Sequence, residues 1–224
     1  MYAIETKQLF VSYDGRVIID DFSFTMHVGE TVLLKGPSGC GKSTFLHAVC
    51  GLIPESAQTG ISGEVLLFGK DICDYGVAER ADAVGIVFQN PETQLFCGNV
   101  EDELAFGLEN LCIAPVEIGS RIDETLAFTG LEKYRRSHPK SLSGGQKQLV
   151  VLSAVLAMRP RILLLDEAMS QLDDGGRRTM IEKLRALKDE GRTILSVDHD
   201  GVSAPFADRV VDLGQTGFLN ATVQ

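Results

Sequence analysis

Apolar residues recur along the chain with two different periods. Early on they alternate or run in short blocks: Phe22 to Val28 alternates phenylalanine, methionine and valine with smaller or polar residues, and Gly29-Glu30 leads into the apolar run Thr31 to Leu34. Both patterns predict β-structure, so the first 35 residues read as short strands. A glycine-rich turn follows, then the apolar segment Thr44 to Leu52, ending near Gly51 and Pro54, which predicts a loop and a helix. Glu64–Phe68 and Val84–Phe88 read as two further strands. The period then lengthens: Val100, Leu104, Leu108 and Leu111 are spaced by four, four and three, and Ile118, Ile122 and Leu126 repeat the spacing. Asn99 to Gly130 therefore predicts two or more helices, the second starting at Pro115. From Gly144 a helix runs to Met158 and stops at Arg159-Pro160. Ile162–Leu165 has no polar interruption, as expected of a strand at the centre of a parallel sheet. Asp174–Glu190 predicts another helix, ended by Gly191, and Thr193–Val197 another strand. Strands alternating with helices imply an α/β core. The strand-rich start adds an antiparallel β portion, and the middle helices form a subdomain inserted between core strands.

Composition narrows the possibilities further. With 224 residues and no repeat, low-complexity tract or linker, residues 1–224 are expected to form one domain, with about 90–160 including the helical subdomain. Hydrophobic residues at 44% and charged residues at 23% exclude a disordered or fibrous chain. Acids outnumber bases 31 to 21, a net charge of −10, so the overall field repels phosphate backbones and no nucleic-acid partner is expected. The five cysteines form no close pair and leave one over, which predicts reduced thiols rather than a disulfide framework or a zinc site. The first ten residues do not read as a signal peptide, and no apolar run is long enough to span a bilayer.

Three motifs carry chemistry. Gly36-Pro37-Ser38-Gly39-Cys40-Gly41-Lys42-Ser43, followed by Thr44, fits G-x-x-x-x-G-K-[ST] between a predicted strand and a predicted helix. Its glycines let backbone N–H groups converge on phosphate oxygens, and the helix that follows aims its positive end at the same anion. Lys42 can reach the β- and γ-phosphates, and the Ser43 hydroxyl can ligate Mg²⁺. Asp166-Glu167 sets two carboxylates at the carboxyl end of the buried strand, where open α/β sheets bind ligands. Asp166 would hold Mg²⁺ and Glu167 would polarise an attacking water. Ser143-Gly144-Gly145-Gln146 reads as a capping box, though two consecutive glycines also expose the first N–H groups of the helix to an anion.

Together these motifs, in this order and spacing, resemble the nucleotide-binding domain of ATP-binding-cassette (ABC) proteins over nearly the whole chain. The resemblance implies a P-loop NTPase of the ABC-ATPase fold, binding ATP and Mg²⁺. Two such domains would dimerise head to tail around two ATPs, the signature at Leu142–Gln146 closing on nucleotide held by the other. It implies that Tyr13 stacks on adenine, unless it is an ordinary half-buried strand tyrosine. It further implies that Gln89 approaches Mg²⁺ and the attacking water, and that Ser170–Asp173 links the two sites. His199 would contact the γ-phosphate and steady Glu167. His27, His47 and His138 match no such position. The chain departs from the family at Ala168, at Gln171, at Ser153-Ala154-Val155, which lacks an arginine, and at Asp198, which adds negative charge close to the site and leaves its effect on turnover open.

Phe88–Phe96 and Val100–Asn110 resemble the ATPases of energy-coupling-factor importers, which take up vitamins or cobalt and nickel ions. That resemblance implies a homodimer, or a heterodimer with a related ATPase, on the cytoplasmic face of the cell membrane. Its partners there would be a transmembrane coupling subunit and a substrate-binding membrane subunit. Some of Glu92, Glu101, Asp102, Glu103 and Glu109 are expected to receive an arginine-bearing helix of the coupling subunit. The alternative is a soluble ABC ATPase that assists assembly of a cofactor or protein complex.

Overall fold

A computed structural model describes residues 1–53, 58–214 and 218; Pro54 lies outside them. The chain runs β1 (Tyr2–Tyr13), β2 (Arg16–His27), β3 (Thr31–Lys35), α1 (Lys42–Val49), β4 (Thr59–Leu67), β5 (Lys70–Asp71), α2 (Val77–Ala83) and β6 (Val84–Val87). It continues through α3 (Val100–Asn110), α4 (Pro115–Thr129), α5 (Gly144–Ala157), β7 (Ile162–Asp166), α6 (Asp174–Asp189), β8 (Thr193–Asp198) and β9 (Arg209–Asp212).

Two sheets organise these elements. An antiparallel sheet has the order β2-β1-β4-β5, and a parallel sheet has the order β6-β7-β8-β3-β9. The expected α/β core with an antiparallel portion is therefore present, and β7 lies in the interior of the parallel sheet with all five residues buried. The start of the chain differs from the reading of it as short strands: β1 and β2 are 12 residues each. Shifts of pairing register between Thr6 and Leu9 break the strict alternation that would have announced a long strand. Gln8 there has φ 49°, and Gly63 opposite it lies so near that a Cβ would meet the Gln8 carbonyl oxygen at 2.4 Å. Short elements α2, β5 and β9 were not anticipated, being too brief to establish a period.

The parallel sheet divides the interior into two cores. Ile162 and Leu164 of β7 and Leu195 and Val197 of β8 pack with the antiparallel sheet and α1, where Phe22, Phe24, Phe45 and Phe218 meet edge to face or stacked. Leu163 and Leu165, with Ile194, face the other way onto α3 to α6. This period of two in buried strands shows why both faces are apolar.

Helix ends follow local chemistry. Asn99 caps α3 by accepting the Asp102 N–H at 3.0 Å, and Pro115 opens α4, which Gly130 closes at φ 75°. Asp173 caps α6 by accepting the Gly176 N–H at 2.7 Å. Helix α1 begins at Lys42, two residues before the expected Thr44, because the loop glycines hand the chain directly into it. Ser153 is fully buried, its hydroxyl 2.9 Å from Thr129 Oγ1 and 2.7 Å from the Leu149 carbonyl.

Candidate nucleotide site

The carboxyl ends of β3, β7 and β8 come out at one edge of the parallel sheet, which brings three distant segments together. From β3 comes the phosphate loop. Its first residue, Gly36, donates its N–H to the Asp198 carbonyl at 3.3 Å, so the loop starts in register with the end of β8. Gly39 and Gly41 have φ 77° and 100°, and a Cβ on Gly41 would meet Ile18 Cγ2 at 2.9 Å. Buried Lys42 turns its Nζ back onto the loop, donating to the Gly36 and Pro37 carbonyls at 2.9 Å each. These are bonds a phosphate tail can replace.

From β7 comes the carboxylate pair. Asp166 is buried and accepts a hydrogen bond from Ser43 Oγ at 2.9 Å. Burial pushes its carboxyl above the ordinary range, and the Ser43 hydroxyl pulls the other way. A hydroxyl and a buried carboxylate converging at the foot of α1 are hard oxygen donors of the kind Mg²⁺ takes, and a cation there would oppose the desolvation of Asp166. No cluster of three or more His, Cys, Asp or Glu suited to a metal occurs among the described residues.

Glu167 is the hub. It holds φ 46°, uncommon for a residue with a side chain and worth roughly 1–3 kcal/mol of strain. Its backbone is pinned by the Glu167 N–H to the Val197 carbonyl at 3.0 Å. Its carboxylate stands 3.4 Å from Lys42 Nζ, accepts from Gln89 Nε2 at 3.3 Å, and lies 3.6 Å from His199 Nδ1. Gln89 Nε2 also reaches Ser170 Oγ at 3.2 Å. Three expected residues therefore meet at the carboxylate of a fourth. Gln89 is directed at Glu167 and Ser170, with no hydrogen bond to the Ser43–Asp166 pair among the described residues.

The other expected residues lie elsewhere. Tyr13 is half-buried at the end of β1, packed on the first core, and burial raises its phenol. The capping box at the start of α5 is present: Ser143 N–H donates to Gln146 Oε1 at 2.9 Å and Gln146 N–H to Ser143 Oγ at 3.3 Å. Gln146 Nε2 also donates to Tyr134 Oη at 2.8 Å. Ser143, Gly144, Gly145 and Gln146 make no hydrogen bond to residues 36–44 among the described residues. Of the histidines set aside, His47 lies in α1 with its ring edge-on to Phe88, at 5.8 Å between centroids.

Two supporting residues escaped the sequence reading. Gln94 accepts the Phe88 N–H at 2.8 Å and donates to the Ile86 carbonyl at 3.1 Å, while buried Gln148 donates to the Phe88 carbonyl at 3.0 Å. They clamp the backbone just before Gln89. A glutamine within the apolar run of α5 was the available signal, since a buried amide must find a partner.

Of the five acids of segment 92–109 offered as candidates for an arginine of a coupling subunit, three have partners within the chain. Glu101 pairs with Arg135 at 2.8 Å and also with Arg136. Glu92 pairs with Lys147 at 2.7 Å. Glu103 is buried and accepts N–H groups from Phe96 and Cys97 at 3.1 and 2.8 Å. Asp102 and Glu109 stay exposed on this face, together with an aromatic pair: Phe96 and Phe106, 64% and 46% exposed, pack edge to face at 4.7 Å. Phe96 borders a groove of about 520 Å³ that also includes Leu95, Pro139 and Lys140.

The family model described as ABC transporter matches residues 19–170, which contain the phosphate loop and the carboxylate pair. The chain belongs to the ABC transporter family. ATP binding comes with membership of that family. Two Methanosarcina proteins, from M. mazei and M. acetivorans, provisionally named as ABC transporter ATP-binding proteins, are each 42% identical over 93% of this chain. The chain spans about a third of their length, 36% and 33% respectively. The energy-coupling factor transporter ATP-binding protein EcfA1 of Leuconostoc mesenteroides is 38% identical over 93% of this ABC chain and 76% of its own. Among solved structures, cbiO1 from Clostridium perfringens, described as part of the ABC transporter complex cbiONQ, superposes with a TM-score of 0.82 at 32% identity. That match covers 94% of this chain and 84% of the other. The dimeric ABC transporter cassette MJ0796 gives a TM-score of 0.81 at 28% identity, covering 95% of both chains. Among the described residues no helix is long and apolar enough to cross a membrane.

Proposed function

We propose that the chain is the ATP-binding and ATP-hydrolysing subunit of an importer of the energy-coupling-factor type, driving uptake of a micronutrient through separate membrane subunits. It would work at the cytoplasmic face of the membrane, as a homodimer or as a heterodimer with a related ATPase, with residues 1–224 acting as one ABC ATPase domain. The observation that carries the ATPase reading is the meeting of Lys42, Gln89 and His199 around Glu167, beside the Ser43–Asp166 pair. The importer type rests on likeness to proteins named as energy-coupling factor ATPases.

The chemistry follows from these contacts. On binding, Lys42 exchanges the Gly36 and Pro37 carbonyls for the β- and γ-phosphates, and the loop N–H groups with the α1 dipole take up the remaining charge. Ser43 and Asp166 would hold Mg²⁺, with Gln89 as a further candidate ligand. When bound, that ion neutralises charge building up on the phosphate oxygens. Glu167 accepts a proton from water as the water oxygen attacks the γ-phosphorus. The bond from that phosphorus to the bridging oxygen breaks, and ADP and phosphate leave. Gln89 and His199 hold the carboxylate in position, and Tyr13 supplies a face for adenine. The signature residues Ser143, Gly144, Gly145 and Gln146 would act on nucleotide bound by the partner, consistent with their separation from this chain's own loop. Phe96 and Phe106 would be the surface on which a membrane subunit sits.

The test uses E167Q, which keeps the shape of Glu167 but cannot accept the proton. With ATP and Mg²⁺ this variant should run as a stable dimer by light scattering, while the unsubstituted chain returns to monomer as it turns over. An E167Q chain that stays monomeric at saturating ATP would refute the shared-site reading. Purification from detergent-solubilised native membranes tests the partners: recovery of two polytopic subunits supports the importer, and soluble partners alone would point to an assembly ATPase.

A further inference from the structure

We infer that Asp198 is a positioning residue: its carboxylate fixes the turn that holds His199 against Glu167. Asp198 ends β8 and is 6% exposed. One carboxylate oxygen accepts the Gly201 N–H at 2.8 Å, and the other accepts the Ser203 N–H at 2.9 Å. Both oxygens are thus engaged with the turn that begins at His199, and the added charge of Asp198 is directed into the backbone. Beneath the turn Ser203 is buried, its hydroxyl 2.7 Å from Ser196 Oγ, so the far end of the turn is anchored to β8 as well.

This matters because the His199 side chain is 44% exposed. Where its ring lies relative to Glu167, 3.6 Å away, depends on the backbone that carries it. Two charge-assisted hydrogen bonds set that backbone, and a hydroxyl at position 198 offers only one acceptor atom in place of two. The tie from Asp198 to the phosphate loop runs through its backbone carbonyl, which accepts the Gly36 N–H and survives any change of side chain. The carboxylate should therefore act on turnover through His199 and leave nucleotide binding alone.

The inference rests on the proposed role of His199, so the experiment separates the two. D198A, H199A and the double variant are made in the full chain. Single-turnover ATP hydrolysis is followed with enzyme in excess, so that low rates remain readable, and affinity is read with a fluorescent ATP analogue. D198A should lower the rate by about 10- to 100-fold, as loss of an orienting partner does, with affinity within about twofold of native. In the H199A background it should cost nothing further. An equal loss in both backgrounds, or a native rate in D198A while H199A is impaired, overturns the inference and leaves the role of His199 standing. A native rate in H199A overturns that role and the inference with it. D198N and D198S, each keeping one acceptor, should recover part of the rate, and they carry the same cycle should D198A fail to fold.

Discussion

Replacing Glu103 by alanine isolates the bond network that shapes the exposed aromatic face. Glu103 is 5% exposed near the start of α3, and its carboxylate receives the Phe96 and Cys97 N–H groups at 3.1 and 2.8 Å. A hydrogen bond to a charged group contributes about 1.5–3 kcal/mol. Two such bonds set an upper range of about 3–6 kcal/mol, but the freed amides sit beside a solvent-exposed Phe96 and can regain water. The expected loss is therefore about 2–3 kcal/mol. Urea unfolding should give a lower midpoint at unchanged slope. Hydrogen exchange at the Phe96 and Cys97 amides should accelerate about 30-fold or more, as 2 kcal/mol dictates. E103Q, whose amide oxygen can take both N–H groups but carries no charge, should recover about half, a neutral hydrogen bond being about half as strong as a charge-assisted one. A loss under about 0.5 kcal/mol with both amides still protected would show that packing, not this carboxylate, shapes the loop.

Two further outcomes follow from the same contacts. Q148L should remove the bond to the Phe88 carbonyl, cost about 1–3 kcal/mol in urea unfolding, and loosen Gln89, read as faster exchange at the residues just before it. The Arg135 hydrogen bond holds the Glu101 carboxyl below its ordinary 4.5, with burial opposing, so the contribution is full above pH 4.5 and is lost as pH falls below it. The native chain should accordingly lose about 1 kcal/mol more than R135A between pH 6 and pH 3.5; equal losses would mean that the pair adds nothing.

Much of the fold was legible because its cause is local. The period of α3 and α4, the cap at Ser143, and the stop at Gly191 are settled by neighbouring residues. The first two strands were legible only in part, because register shifts near Gln8 interrupt alternation and only their pairing in the antiparallel sheet reveals two long strands. The phosphate loop and carboxylate pair were legible for another reason: a glycine-rich turn before a lysine, and acids after an uninterrupted aliphatic strand, have few purely structural explanations.

The acids of segment 92–109 mark the boundary. Sequence alone offered five carboxylates and no way to tell which were satisfied. Arg135, Arg136 and Lys147, 34, 35 and 55 positions away from their acids, decide that, and the fold brings them in. Gln94 and Gln148 became site-supporting residues in the same manner, through a strand end that neither adjoins in sequence. The phosphate loop and the carboxylate pair were thus determined by composition and spacing, since phosphate binding needs those side chains on a short stretch of chain, whereas Gln89 and His199 were implied only by the resemblance to the ABC family. Which of them meet was decided by the parallel sheet, because strand order alone brings residues 42, 89, 167 and 199 to one edge, where a single carboxylate can touch three of the others.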